Sequence, residues 1–192
     1  IIVGLSFIFN KSINITNFPS AGNSIVAFGD SLVEGVGSTA DNDFVSVLSR
    51  KIGEPIINLG VSGNTTSDGL ARINSVQAQD PKAVLVLLGG NDFLRRIPAE
   101  ETFKNINQIV TELQQNGAVV VLLGVQGGLI GDPYEKYFEE IARSRGALYV
   151  PNILKGIFGK SDLMSDSIHP NNAGYAKIAE KIYPVLQEAL PK

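Results

Sequence analysis

Between Ser24 and Leu190 the sequence repeatedly alternates a short apolar run with a longer segment of helical period, and this alternation limits the fold more than any other feature. The apolar runs are Ser24–Phe28, Pro55–Leu59, Ala83–Leu88, Ala118–Leu123 and Ala147–Val150. Their side chains are continuously apolar, as in parallel strands covered on both faces, where a half-exposed strand would alternate. The segments between and after them, Phe44–Ile52, Ser67–Gln77, Ala99–Asn116, Tyr134–Arg145 and Asn171–Leu190, are expected to be helices. Ile178, Ile182, Val185 and Leu186 fall on one stripe of the last segment, and Tyr137, Ile141 and Ala142 on one stripe of the fourth. Gly117 and Gly146 stand where a helix should end before the next strand. A repeated βα unit of this kind implies an α/β domain of three layers with a mostly parallel sheet.

The length of 192 residues suits one such domain, and no internal repeat or low-complexity tract divides it. Residues 24–192 are assigned to the domain, and 1–23 to an apolar arm followed by a polar linker. Ile1–Phe9 carries no charge and is too short to cross a bilayer by itself, since that takes about 20 residues. It reads either as part of a membrane anchor or export signal, which would put the protein in the periplasm, on a membrane or outside the cell, or as an extra packed strand. A cytoplasmic location stays open, and oligomeric state is not legible.

Composition removes several chemistries. There is no cysteine, so thiolate nucleophiles, disulfides and Cys metal sites are excluded. A single histidine, His169, rules out a His-cluster zinc site, so no metal or cofactor is expected. With a net charge of −3 and scattered Lys and Arg, no basic face for nucleic acid is expected.

In an open parallel sheet, ligands bind beyond the carboxyl ends of the strands. Five loops lie there: Gly29–Gly35, Gly60–Thr66, Gly89–Ile97, Gly124–Pro133 and Pro151–Pro170. Ser31, in Gly29-Asp30-Ser31-Leu32, sits where a hydroxyl can leave the sheet edge and its own N–H can face an oxyanion. Asp30 reads as a turn residue. In Asp166-Ser167-Ile168-His169-Pro170, Pro170 suits the first position of the final helix, which makes His169 the expected cap. Asp166 can fold back to hold the imidazole in the tautomer that leaves its other nitrogen free for Ser31. Taken alone, the same residues also describe a histidine capping a helix beside a turn aspartate. Gly63 permits close backbone approach ahead of a helix capped by Thr65 or Thr66, and Asn91 can present its side-chain NH₂ to the same oxygen. Asp92 is expected to bond a neighbouring backbone group or to position Asn91, with no direct chemical role.

Together these loops resemble the SGNH/GDSL hydrolase family. Ser31 in Gly-Asp-Ser-Leu, Gly63 in the second loop, Asn91 in Gly-Gly-Asn-Asp, and His169 in Asp-x-x-His-Pro occur in the family's order, from about Ile25 to the final helix. Gly63-Asn64-Thr65-Thr66 followed by Gly69-Leu70-Ala71-Arg72 looks most like the bacterial thioesterase I/lysophospholipase L1/arylesterase group. The resemblance implies a flavodoxin-like, five-stranded parallel sheet of order 2-1-3-4-5. It implies catalysis by Ser31, His169 and Asp166, with an oxyanion hole from Ser31, Gly63 and Asn91. The expected reaction is hydrolysis of small-molecule esters or thioesters through an acyl-enzyme. A carbohydrate acetylesterase, or a binding protein on the same fold, are the alternatives. No Gly-x-Ser-x-Gly elbow, phosphate-binding loop or dinucleotide fingerprint is present. Apolar side chains in two of the loops, Phe93, Leu94 and Ile97 in one and Leu129 and Ile130 in the other, are expected to line an acyl groove.

Overall fold

The structure, a computed structural model, describes residues 14–125 and 134–191. Its sheet has five parallel strands in the order β2-β1-β3-β4-β5. In chain order the strands are β1 (Ser24–Gly29), β2 (Ile56–Gly60), β3 (Pro81–Leu87), β4 (Val119–Leu123) and β5 (Leu148–Val150). The helices are α1 (Ser31–Glu34), α2 (Phe44–Ile52), α3 (Thr66–Ala71), α4 (Asn74–Gln77), α5 (Gly90–Leu94), α6 (Ala99–Gln115), α7 (Tyr134–Arg145) and α8 (Asn172–Glu188). The three-layer α/β architecture and the strand order agree with expectation. Ile1–Phe9 and the loop holding Leu129 and Ile130 lie outside the described residues.

The strands are apolar on both sides because helices cover both. Every residue of β4 is buried, as are Ile25 to Gly29 of β1. One helical layer pairs α2 with α8, and the other joins α6 to α3 and α7. In α6, Thr102, Phe103, Ile106, Ile109, Val110 and Leu113 are buried at helical spacing. Phe103 meets Tyr134, Tyr137 and Phe138 of α7 with ring centroids 4.6–5.0 Å apart.

Three local departures have clear causes. The expected helix Ser67–Gln77 is two short helices, α3 and α4, with Arg72 and Ile73 as the joint. Arg72 leaves the helical path there, and its side chain reaches back to the sheet edge. Short helices α1 and α5, outside the five expected helices, occupy the loops Gly29–Gly35 and Gly89–Ile97, and α1 is started by the Asp30 side chain accepting from the Leu32 N–H. The final helix does not begin at Pro170. Asn171 is its cap, with Oδ1 accepting from the N–H groups of Ala173 and Gly174, and Pro170 instead bridges to Met164. Asparagine accepts these bonds through a side-chain oxygen, which histidine lacks, so His169 is released from capping.

Residues 14–23 run along the amino-terminal edge of the sheet. Thr16 bonds the carbonyls of Arg145 and Gly146, and Asn17 Nδ2 donates to those of Gln114 and Ala118 at 2.7 and 3.0 Å. Ser20 bonds Gly117, and the N–H groups of Asn23 and Ser24 bond Asp80. These acceptors belong to the turns that enter β3, β4 and β5, so the strap ties those turns together.

Candidate active site

At the opposite edge, β1 ends where Gly29 pairs with Gly60 and Leu87. A Cβ on Gly29 would lie 2.2 Å from the Leu87 carbonyl oxygen, so only glycine lets the chain turn between its neighbours. Asp30 then caps α1, its Oδ1 accepting from the Leu32 N–H at 3.0 Å. Ser31 is the first residue of α1, and its hydroxyl faces His169 with Oγ 3.0 Å from Nε2.

Asp166 holds His169 from the other side. Its Oδ2 lies 2.8 Å from Nδ1, and its Oδ1 accepts the backbone N–H groups of Ile168 and His169, each at 2.7 Å. These donors, the ring N–H first, hold the exposed Asp166 carboxyl down at about 2. An ionised carboxylate only accepts, which places a proton on Nδ1 and the lone pair on Nε2, where the Ser31 hydroxyl can donate.

The loops after β2 and β3 close round Ser31. Gly63 adopts φ 78°, a backbone conformation that favours glycine, and among the described residues its N–H and that of Ser31 meet no acceptor. Asn91 Nδ2 donates to the Asn64 carbonyl at 3.0 Å and stands 3.4 Å from Asp30 Oδ2. The first bond fixes the amide, while the second N–H has only a long contact and is available to a substrate oxygen. Below them, the buried Asp92 takes the Thr66 N–H at 2.9 Å and the Thr66 hydroxyl at 2.5 Å, joining the starts of α3 and α5. Thr65 and Asp68 complete a capping box at α3.

A pocket of about 440 Å³ opens beside Ser31. Its apolar walls are Leu32, Phe93, Leu94, Val125, Leu154, Phe158 and Ile168, with Asp30, Gly90 and Asn91 at the polar end. Phe93, Leu94, Phe158 and Ile168 are each 40% or more exposed, an unusual position for large apolar side chains unless something covers them. Phe93 and Leu94 line this pocket. Ile97 does not line the pocket: the chain turns at Arg96, φ 58°, and the Ile97 N–H closes back on the Asp92 carbonyl. Among the described residues no cluster of His, Asp or Glu could hold a metal ion.

Residues 27–177 match the GDSL-like lipase/acylhydrolase family. The chain belongs to that family. It is 27% identical to esterase TesA of Pseudomonas aeruginosa over 183 residues, covering 89% of this chain and 91% of that protein. It is also 27% identical to thioesterase 1/protease 1/lysophospholipase L1 of Escherichia coli K12, over 88% of this chain and 85% of that protein. A crystal structure of TesA superposes with a TM-score of 0.81 at 28% identity, over 88% of this chain and all of that one. A GDSL-family chain of this kind is a hydrolase of ester bonds, acting on small-molecule substrates.

Within this GDSL fold, the structure brings Ser31, His169 and Asp166 into one hydrogen-bonded line, with Gly63 and Asn91 nearby. Sequence reading missed Leu154, Phe158 and Ile168 as pocket walls. The signal was available: all three lie in a loop at the carboxyl edge, and Phe158 stands between Gly156 and Gly159 in no helical or strand pattern. Asp92 bonds backbone, as expected, through the Thr66 N–H, whereas the structural part played by Arg72 was missed.

Proposed function

We propose that this chain hydrolyses carboxylic esters and thioesters with apolar acyl chains, and that the acyl chain lies in the pocket beside Ser31. Ser31 Oγ attacks the carbonyl carbon as its proton passes to His169 Nε2, and Asp166 stabilises the resulting imidazolium. The oxyanion receives the N–H groups of Ser31 and Gly63 and the Nδ2 of Asn91. Collapse breaks the carbonyl–oxygen or carbonyl–sulfur bond, and the imidazolium protonates the leaving alcohol or thiol. Water then attacks the acyl-Ser31 ester by the same path in reverse, releasing the acid. The observation that carries this reading is the Ser31–His169–Asp166 line, at 3.0 and 2.8 Å, opening on an apolar pocket of about 440 Å³. That volume lies within the range of small-molecule sites, roughly 300–1,000 Å³. The names of the two relatives, an esterase and a thioesterase/lysophospholipase, are consistent with acyl substrates.

The test is a series of p-nitrophenyl esters of increasing acyl length, run beside an acyl-CoA. Burying a methylene contributes up to about 0.8 kcal/mol, so kcat/KM should rise by up to about fourfold per methylene from acetyl to medium chains. Phe158→Ala should flatten the rise. A profile that is flat or falls from acetyl in the unsubstituted protein would discard the acyl pocket and favour acetyl esters.

A further inference from the structure

Arg72 sits half-buried at the joint of α3 and α4 and does not line the pocket beside Ser31, yet all three guanidinium nitrogens are engaged. Nη2 donates to the Gly29 carbonyl at 2.7 Å, Nη1 to the Leu59 carbonyl at 2.9 Å, and Nε to Asn64 Oδ1 at 2.6 Å. The guanidinium carbon lies over the Phe28 ring, 4.3 Å from its centroid. One planar group thus joins the carboxyl ends of β1 and β2 to the loop that follows β2.

Asn64 is the residue on which this matters. Its side chain is held by Arg72, its N–H bonds the Val61 carbonyl at 3.2 Å, and its own carbonyl takes the 3.0 Å bond from Asn91 Nδ2. The preceding residue is Gly63, whose carbonyl is held by Arg95 Nη2 at 2.8 Å and whose N–H is unused among the described residues. Movement of residue 64 would therefore displace two groups at once: the Gly63 N–H and the carboxamide of Asn91. A lysine could not replace the fork, because a single ammonium cannot meet three acceptors that lie in the directions of a guanidinium's edges.

From this connection we infer that Arg72 is a positioning residue for the oxyanion hole, acting through Asn64 to aim Gly63 and Asn91 at the oxygen of the tetrahedral intermediate. The inference rests on the acyl-hydrolase reading of the site. It assigns Arg72 no contact with substrate. Its effect should therefore appear in the transition state and leave ground-state binding alone.

The experiment compares Arg72→Met, Arg72→Lys and Asn64→Ala, each alone and combined with Asn91→Ala, by kcat, KM and thermal melting on one p-nitrophenyl ester. Removing one oxyanion donor lowers kcat by roughly 10²–10³. Arg72→Met should approach that loss, about 10²-fold, with KM nearly constant, and Arg72→Lys should lose less, about tenfold. In the Asn91→Ala background, Arg72→Met should cost no more than about a further fivefold, because much of what it disorders is already gone. Should Arg72→Met fail to fold, Asn64→Ala reads the same link, since it removes the side-chain acceptor and keeps the backbone carbonyl. Losses that multiply fully in the double variant, a change confined to KM, or full kcat in a folded variant would each overturn the proposal. Wild-type turnover, measured alongside, separates the two levels. Its absence would overturn the reading of the site together with this inference, whereas its presence with multiplying losses overturns the inference alone.

Discussion

Both edges of the sheet carry small polar residues and use them in opposite ways. At the amino edge, Thr16, Asn17 and Ser20 are matched to backbone carbonyls of the turns entering β4 and β5, so each donor has a fixed acceptor. At the carboxyl edge, the Ser31 and Gly63 N–H groups meet no acceptor among the described residues, and one N–H of Asn91 has only the 3.4 Å contact to Asp30. Unused donors are costly beside a folded core, and they persist here because rigid neighbours hold them: Asp92 on Thr66, Arg72 on Asn64, Asp166 on His169. Saturated polarity marks the edge that holds the fold together, and held but unsaturated polarity marks the edge proposed for the chemistry.

A crossed pair of substitutions puts that contrast at risk. Ser31→Ala should lower kcat by roughly 10⁴–10⁶ and leave the melting temperature nearly unchanged, because the residue acts in chemistry and bonds little else. Asn17→Ala should do the reverse. It removes two part-buried bonds and leaves a residue at φ 65° without asparagine's tolerance of that conformation, at a cost of about 2 kcal/mol, or roughly 5 °C in Tm. Its kcat/KM should stay within about twofold of wild type, since surface changes far from the site rarely couple to it. Activity loss in Asn17→Ala at temperatures below its melt would erase the distinction between the edges.

Asp30 gives a smaller, pH-dependent effect on the carboxyl edge itself. Burial pushes its carboxyl up to about 6, against the pull of the Leu32 N–H and of His169. The folded protein therefore holds this proton more tightly than the unfolded chain does, whose carboxyl titrates near 3.8. The stability contributed by that proton is complete below pH 3.8 and lost as pH rises through about 6. Asp30→Asn keeps a side-chain oxygen to cap α1 and has no charge to desolvate. Its Tm should match wild type near pH 4 and exceed it above pH 6, by an amount corresponding to at most about 2–3 kcal/mol. A Tm difference that stays constant across that range would assign the effect to packing.

Legibility followed the distance over which each feature is decided. The strands could be read because parallel strands under two helical layers must be continuously apolar, and Ala118–Leu123 differs from β4 by a single residue. Ser31, Gly63, Asn91, Asp166 and His169 could be singled out because they occur together, in the order of the GDSL pattern, in loops at the carboxyl edge, where any one alone reads equally as a turn or cap residue. The start of α8 was misplaced because Pro170 and Asn171 both signal a helix beginning, and a side-chain oxygen outweighs a fixed φ only once the Ala173 and Gly174 N–H groups are in view. Arg72 could not be read, and Asp92 only as a backbone-bonding residue without its partner, since Gly29 and Thr66 are brought near them only by the finished fold. Phe158 and Ile168 were passed over although their loop's place at the carboxyl edge pointed to the site, because a segment without periodicity does not single out which of its side chains face inward.

Covalent trapping tests the central claim most directly. A fluorophosphonate probe should form a bond from Ser31 Oγ to phosphorus with loss of fluoride, and its phosphoryl oxygen should lie where the oxyanion of the ester reaction would. Intact-mass measurement and peptide mapping should find a single adduct on Ser31, absent in Ser31→Ala and formed far more slowly in His169→Ala. A protein that turns over esters while its adduct maps to another residue, or that labels equally fast without His169, would contradict the account.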